Sequence, residues 1–180
     1  MTATKILTLI TLTGIALMAG LFFGYGNSVM PSLEQLPAGQ GAAAMNLMNV
    51  AIYNPLFLMI FTVTGLACLP LILLGFVQRH PGRWWLLAGS LLYFVAGMIT
   101  MSINVPLNDQ LATLDPYSPE GLAEWTSFAG AWSTANNLRA IACTLSVITL
   151  GVALASSTRP RPVGPLPANP YQYPGTVPPR

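Results

Sequence analysis

The segment WSTANNLR, residues 132–139, runs into AIACTLSVITLGVALA, residues 140–155, where no residue carries a charge. The hydrocarbon core of a bilayer is about 30 Å thick and takes about 20 apolar residues per helical crossing. The run 138–155 is close to that length, so the arginine at its start stands at the mouth of a membrane span. Runs 6–25, 56–77 and 84–103 have the same character. Together they predict four transmembrane helices in an all-α integral membrane four-helix bundle, with polar helix ends on the extracytoplasmic side.

The chain has 180 residues, of which only 7% are charged, and a mean hydropathy of +0.60. A soluble protein of this size needs more polar surface than that. Residues 1–157 hold the four runs and are read as one transmembrane domain. Residues 158–180 carry eight of the sixteen prolines and no apolar periodicity, which predicts an extended, disordered cytoplasmic tail. The first run is longer than the apolar part of a signal peptide and no convincing A-x-A site follows, so it is read as an uncleaved anchor. A formal net charge of +2 with scattered basic residues gives no footprint for nucleic acid. Cys68 and Cys143 both fall inside spans, where a free thiol is ordinarily buried packing. No internal repeat is visible.

Charge sets the orientation. Lys5 precedes the first span, Arg79 and Arg83 bracket the QRHPGR turn between spans two and three, and Arg159 and Arg161 follow span four. All three places are cytoplasmic by the positive-inside rule. The other two loops hold Glu34, Asp109, Asp115, Glu120 and Glu124, every side-chain carboxylate in the chain. The expectation is a multi-pass protein of the cell membrane, in contact with membrane lipid, with both termini cytoplasmic.

Three polar stripes gather at the predicted outer helix ends. Upstream of span four, Trp125, Trp132, Asn136 and Arg139 fall within a sector of about 60° at 100° per residue. Ser118, Pro119 and Glu120 supply an N-cap, a first-turn proline and a favourable charge for that helix. Upstream of span two, Asn46, Asn49 and Tyr53 share a face, and Pro55 should kink the helix unless its first turn begins there. Span three carries Tyr93, Thr100 and Asn104, then breaks at Val105-Pro106 and continues as LNDQL with Asn108. At the same level Pro31 interrupts the end of span one and Glu34 supplies an anion. An ionisable residue in a span is ordinarily paired and turned inward, with Glu34, Asp109 and Glu124 as the available partners for Arg139. The same residues also fit a snorkelling arginine, an aromatic belt and interhelical amide contacts.

The single histidine, His80, lies in the cytoplasmic turn, away from the stripes, so no histidine metal site and no Ser-His-acid set forms among them. The methionines near the stripes read as packing rather than copper ligands. No phosphate loop or dinucleotide motif is present. An amide-rich cationic pocket with aromatic walls suits an apolar molecule bearing a carbonyl or enolate oxygen.

VMPSL after span one, MNLMN followed by NP, NVPLNDQL after span three and W-x-x-x-N-x-x-R opening span four together resemble the anthrone oxygenase-like family over about residues 6–155. The resemblance implies a four-helix membrane bundle in which Asn49, Asn104, Pro106, Asn108, Trp132, Asn136 and Arg139 match signature positions. It also implies oxidation of an anthrone to an anthraquinone by molecular oxygen, with no metal or flavin cofactor. Many relatives have histidine directly after the asparagine of the W-N-R piece, and this chain has Asn137. An amide cannot titrate, so a base would have to come from Glu34, Asp109 or a tyrosinate. On this reading Arg139, Asn104, Asn108 and Asn136 stabilise an enolate of a small hydrophobic phenolic or quinonoid substrate that then meets oxygen. Trp132, Asn49, Tyr53 and Glu34 contact the substrate. The alternative is a non-catalytic membrane protein whose polar cluster is structural or binds a lipid or partner protein. A substrate-sized cavity beside Arg139 favours the first reading, and a dry, fully paired network the second.

The charge distribution makes a topological prediction. In a background lacking Cys68 and Cys143, a cysteine at position 115 reacts with an impermeant maleimide in intact cells and one at position 80 does not. Labelling of position 80 from outside overturns the orientation.

Overall fold

The computed structural model describes residues 3–37, 39–77 and 82–156. Arg79 and His80 of the short turn and the proline-rich stretch 158–180 lie outside these residues. All regular structure among the described residues is helical: α1 (Ala3–Gly24), α2 (Met30–Glu34), α3 (Gln40–Ile52), α4 (Pro55–Val77), α5 (Arg83–Ile99), α6 (Val105–Ala112) and α7 (Pro119–Ser156). Five-residue π-turns, Tyr25–Val29 and Thr100–Asn104, join α1 to α2 and α5 to α6. Four continuous helical stretches are long and apolar enough to cross a membrane: Ala3–Glu34, Pro55–Val77, Arg83–Ala112 and Pro119–Ser156. They contain the four runs read from the sequence.

Helix α7 packs against α1 and α5, and α4 packs against the same two. The order around the bundle is therefore α1, α4, α5, α7, with α4 and α7 on a diagonal. In the half nearer the termini the helices approach closely. A Cβ on Gly14 would run into Thr64 of α4, and one on Gly89 would lie 2.7 Å from Leu150 and Thr149 of α7. Ser146 Oγ donates to the Gly89 carbonyl at 2.6 Å, which fixes α5 on α7 at that level. Around these contacts Ile15, Met18, Cys68, Leu71, Tyr93, Cys143 and Leu150 form the main core. Both cysteines are free and buried there.

At 1.5 Å per residue, α7 is about 57 Å long, well beyond the bilayer core. Its first half carries a second core in which Phe128 and Trp132 meet Met30 and Leu33 of α2, Met45 of α3 and Leu111 of α6. The start of α7 is capped as its sequence requires: the Gly121 N–H donates to Ser118 Oγ at 3.0 Å, with Pro119 as first residue. Gly39 precedes α3 at φ 79, a left-handed conformation that glycine takes without a Cβ clash.

Of the two outcomes open at Pro55, the structure shows the helix whose first turn begins there, so span two is not continuous with the helix upstream, and two other expectations about breaks are corrected. The chain stops at Tyr53, and Asn54 restarts it, its Oδ1 accepting the Phe57 N–H at 3.0 Å with Pro55 in the first turn. Conversely, Val105-Pro106 does not break span three. The helix passes through by widening: the Val105 N–H bonds the Thr100 carbonyl, five residues back. Met30 does the same to Tyr25 just before Pro31, so Pro31 does not interrupt span one either. A proline ring collides with the carbonyl four residues earlier in an α-helix, and a π-turn placed before it relieves the crowding. The device occurs twice, on PSLEQL from Pro31 and PLNDQL from Pro106, a local repeat that sequence inspection alone overlooked.

Because α5 and α7 meet at a glycine, size at that point is decisive. Gly89→Leu should lower the thermal midpoint in detergent by the equivalent of about 1–3 kcal/mol, the usual cost of overpacking. Gly97, whose added Cβ would meet nothing within 4 Å, should tolerate alanine with a change of at most about 1 kcal/mol, in the stabilising direction.

Candidate functional site

Where α4 and α7 face each other across the diagonal, at the end of the bundle that holds the π-turns and the α3–α4 break, there is a cavity of about 290 Å³. Each helical stretch contributes. Phe22 and Tyr25 come from α1 and its π-turn, Asn49 and Tyr53 from the end of α3, Phe57 and Phe61 from α4, Thr100, Asn104 and Asn108 from the second π-turn and α6, and Trp132, Asn136 and Arg139 from α7. Tyr93 lies beneath, its hydroxyl donating to the Phe61 carbonyl at 3.2 Å and its ring 6.3 Å from that of Phe61.

Arg139 is only 5% exposed. It does not snorkel. Its guanidinium carbon lies 4.3 Å from the centre of the Phe22 ring and 5.4 Å from that of Trp132, so two aromatic faces take up part of the charge. One terminal nitrogen donates to Asn136 Oδ1 at 3.0 Å and the other to Thr100 Oγ1 at 3.3 Å. These acceptors are neutral. Glu34, Asp109 and Glu124, the partners expected from the sequence, make no hydrogen bond to Arg139 and do not line the cavity. The cation is thus held by dipoles and rings, with no anion opposite it among the described residues.

Two amides are oriented by backbone. Asn136, fully buried, donates from Nδ2 to the Phe22 carbonyl at 2.8 Å, which turns its Oδ1 to Arg139. Asn104, 1% exposed, donates from Nδ2 to the Trp132 carbonyl at 3.2 Å, which leaves its Oδ1 as an acceptor. That oxygen has no partner, and neither have Asn108 Oδ1, Asn49 Nδ2, Trp132 Nε1 or Arg139 Nε, all buried atoms on cavity residues. A buried donor or acceptor left unmade costs about 1–3 kcal/mol; these five, three donors and two acceptors, are packed against protein on residues of the cavity wall, and Asn46 Oδ1 and Ser133 Oγ, away from the cavity, are in the same state.

Seven of the eight residues singled out from the sequence, Asn49, Tyr53, Asn104, Asn108, Trp132, Asn136 and Arg139, line this cavity. Glu34 is exposed on α2 and stands apart. Sequence reasoning missed Phe22 of α1, Tyr25 of the π-turn that follows it, and Phe57 and Phe61 of α4. Their spacings of three and four put each pair on one helix face, but they sit in runs with no polar contrast to mark the face. Asn137 does not line the cavity either. Its side chain lies against Gly26 of the first π-turn, so a base at this position would not reach into the wall as it stands here.

The neighbours Asn136 and Asn137 therefore differ sharply. Asn136→Ala strips acceptors and donors from Arg139 and Phe22 and should destabilise the bundle by about 1–3 kcal/mol. Asn137→Ala should stay within about 0.5 kcal/mol, as exposed positions do. Thermal unfolding of both in one detergent checks the helix phase.

A model of the anthrone oxygenase family matches residues 5–149, which takes in two of the four spans whole, most of the other two and every residue of the cavity. No curated protein and no solved structure matches the chain. With most of its length matched, the chain belongs to the anthrone oxygenase family.

Proposed function

We propose that the protein is a cell-membrane oxygenase, with both termini cytoplasmic, that uses molecular oxygen to convert an acidic methylene of a flat phenolic or quinonoid substrate into a carbonyl. The observation that carries this reading is a buried arginine with no carboxylate partner among the described residues, on the wall of a cavity lined by aromatic rings and amides. An enolate oxygen supplies the missing anion. The Arg139 guanidinium is the cation placed for it, preorganised by packing and shielded from water, the arrangement in which such a group stabilises developing charge most. Asn49, Asn104 and Asn108 are the amides on the wall for a ring hydroxyl. Phe22, Phe57 and Trp132 hold the flat face.

The chemistry closes without a further oxidant. The methylene loses a proton to give the enolate, whose carbon forms a bond to oxygen. Proton return gives a hydroperoxide, and loss of water leaves the carbonyl, so the methylene and one molecule of oxygen become a carbonyl and one molecule of water. Among the described cavity residues there is no carboxylate or imidazole. A tyrosinate at Tyr25 or Tyr53 takes the methylene proton and returns it to the peroxide anion, and Arg139 lowers the cost of the charge left on the substrate.

Oxygen uptake with anthrone, by the protein in lipid nanodiscs, tests the reading. Arg139→Gln should lower kcat by about 10²–10³, as removal of an oxyanion donor does. Arg139→Lys should recover only part of the loss because an ammonium lacks the planar fork, and Asp109→Asn should leave the rate near that of the wild type. No oxygen uptake by the wild type, or full activity in Arg139→Gln, overturns it.

A further inference from the structure

We propose that the cavity opens sideways into the bilayer between α4 and the second π-turn, and that its ligand is an amphiphile. Its oxygen-bearing ring sits inside, and an apolar chain lies in the opening. The proposal deepens the oxygenase reading by naming the form of the substrate, and rests on the cavity being a binding site.

The cavity has a closed polar end and an open apolar side. Trp132, Asn136 and Arg139 are 4%, 0% and 5% exposed, so the α7 wall is sealed. Four residues both line the cavity and lie on the protein surface: Tyr53, Leu58, Thr62 and Met101. Leu58 and Thr62 are one turn apart on α4, Met101 is in the π-turn of the neighbouring helix, and Tyr53 ends α3 above them. They mark the mouth.

What surrounds the mouth decides which solvent it meets. Leu56 and Met59 beside it on α4, and Met98 and Ile103 beside Met101, are all large, apolar and exposed, and the two helices that carry them are of membrane-spanning length and composition. Such a surface faces hydrocarbon. A ligand entering from the lipid meets Phe57, Phe61 and Met101 first and the wall of Trp132, Asn136 and Arg139 last.

Size supports a chain that stays outside. A volume of 290 Å³ is at the small end of ligand sites, which span roughly 300–1,000 Å³. It takes a fused ring and leaves no room for a long substituent. Such a chain need not leave the bilayer at all, since lipid and the apolar mouth are equivalent surroundings for it.

The test compares 5-hydroxy-1,4-naphthoquinone with its 2-decyl derivative. Retention by nanodiscs carrying the full chain is measured over empty nanodiscs, and affinity is referred to the mole fraction of probe in the lipid. With a lateral mouth the two affinities agree within about threefold, because no methylene changes solvent. A mouth that opened to water would draw the chain from lipid at about fourfold per methylene, so a decyl probe weaker by about a hundredfold or more overturns the proposal. Leu58→Trp and Met101→Trp, both on exposed faces, should each weaken the decyl probe at least about fivefold more than the bare ring, in the range that overpacking costs. Equal weakening of both probes in both variants overturns it too, and if one variant loses its thermal transition the other decides. Bare-ring binding with rejection of the chain removes the lateral mouth alone. Failure of the bare ring to bind the wild type removes the site reading, and the mouth with it.

Discussion

The structure is arranged around one desolvated guanidinium. Arg139 is held between the faces of Phe22 and Trp132 and by the oxygens of Asn136 and Thr100, so α1, the second π-turn and α7 are tied to a single charge. Burying a cation without an anion is costly, and such an arrangement persists where surrounding contacts over-determine it. Here the restraint comes from one side, where Ser146 binds the Gly89 carbonyl and glycines let the helices close, and from the other, where the first half of α7 buries Phe128 and Trp132 beneath α2, α3 and α6. The cavity is the gap left between two rigid cores.

That gap depends on α4. The helix packs on α1 and α5 and lies diagonal to α7, and it begins afresh at Asn54 rather than continuing from α3. A continuous α3–α4 helix would carry Asn49 on along the axis of the span. The break instead lets α3 turn away and place Asn49 and Tyr53 over the cavity while Phe57 and Phe61 form its side. An Asn-Pro pair, one residue capping and the other unable to donate, is enough for this.

The spans were legible because length and apolarity alone specify a crossing, and the α7 stripe because Trp132, Asn136 and Arg139 stand out in an apolar background. The partners of Arg139 were not legible. Counting charges pointed to carboxylates, whereas neutral oxygens and rings hold it, and rings in an apolar run give no contrast with their neighbours. The passage through Val105-Pro106 was hidden as well. A proline reads as a break at the level of propensity, and whether the helix stops or widens is settled by packing on both sides of it. Asn54-Pro55 and Val105-Pro106 look alike in the sequence, yet one ends a helix and the other does not.

A π-turn is a movable defect. Shifting it by one residue exchanges one backbone hydrogen bond for another and rotates the residue it passes by about 100°, while the helix on either side stays in place. In this chain Pro31 and Pro106 act as end-stops on the C-terminal side of each defect, since neither has an N–H to exchange. Travel remains open only toward the bundle, through Thr100 and Ile99 in one helix and Tyr25 and Gly24 in the other. The side chains that such travel would turn first, Thr100 and Tyr25, are on the cavity wall, so the two prolines set a direction for any rearrangement of the site: the wall can re-aim without α5 or α1 leaving its seat.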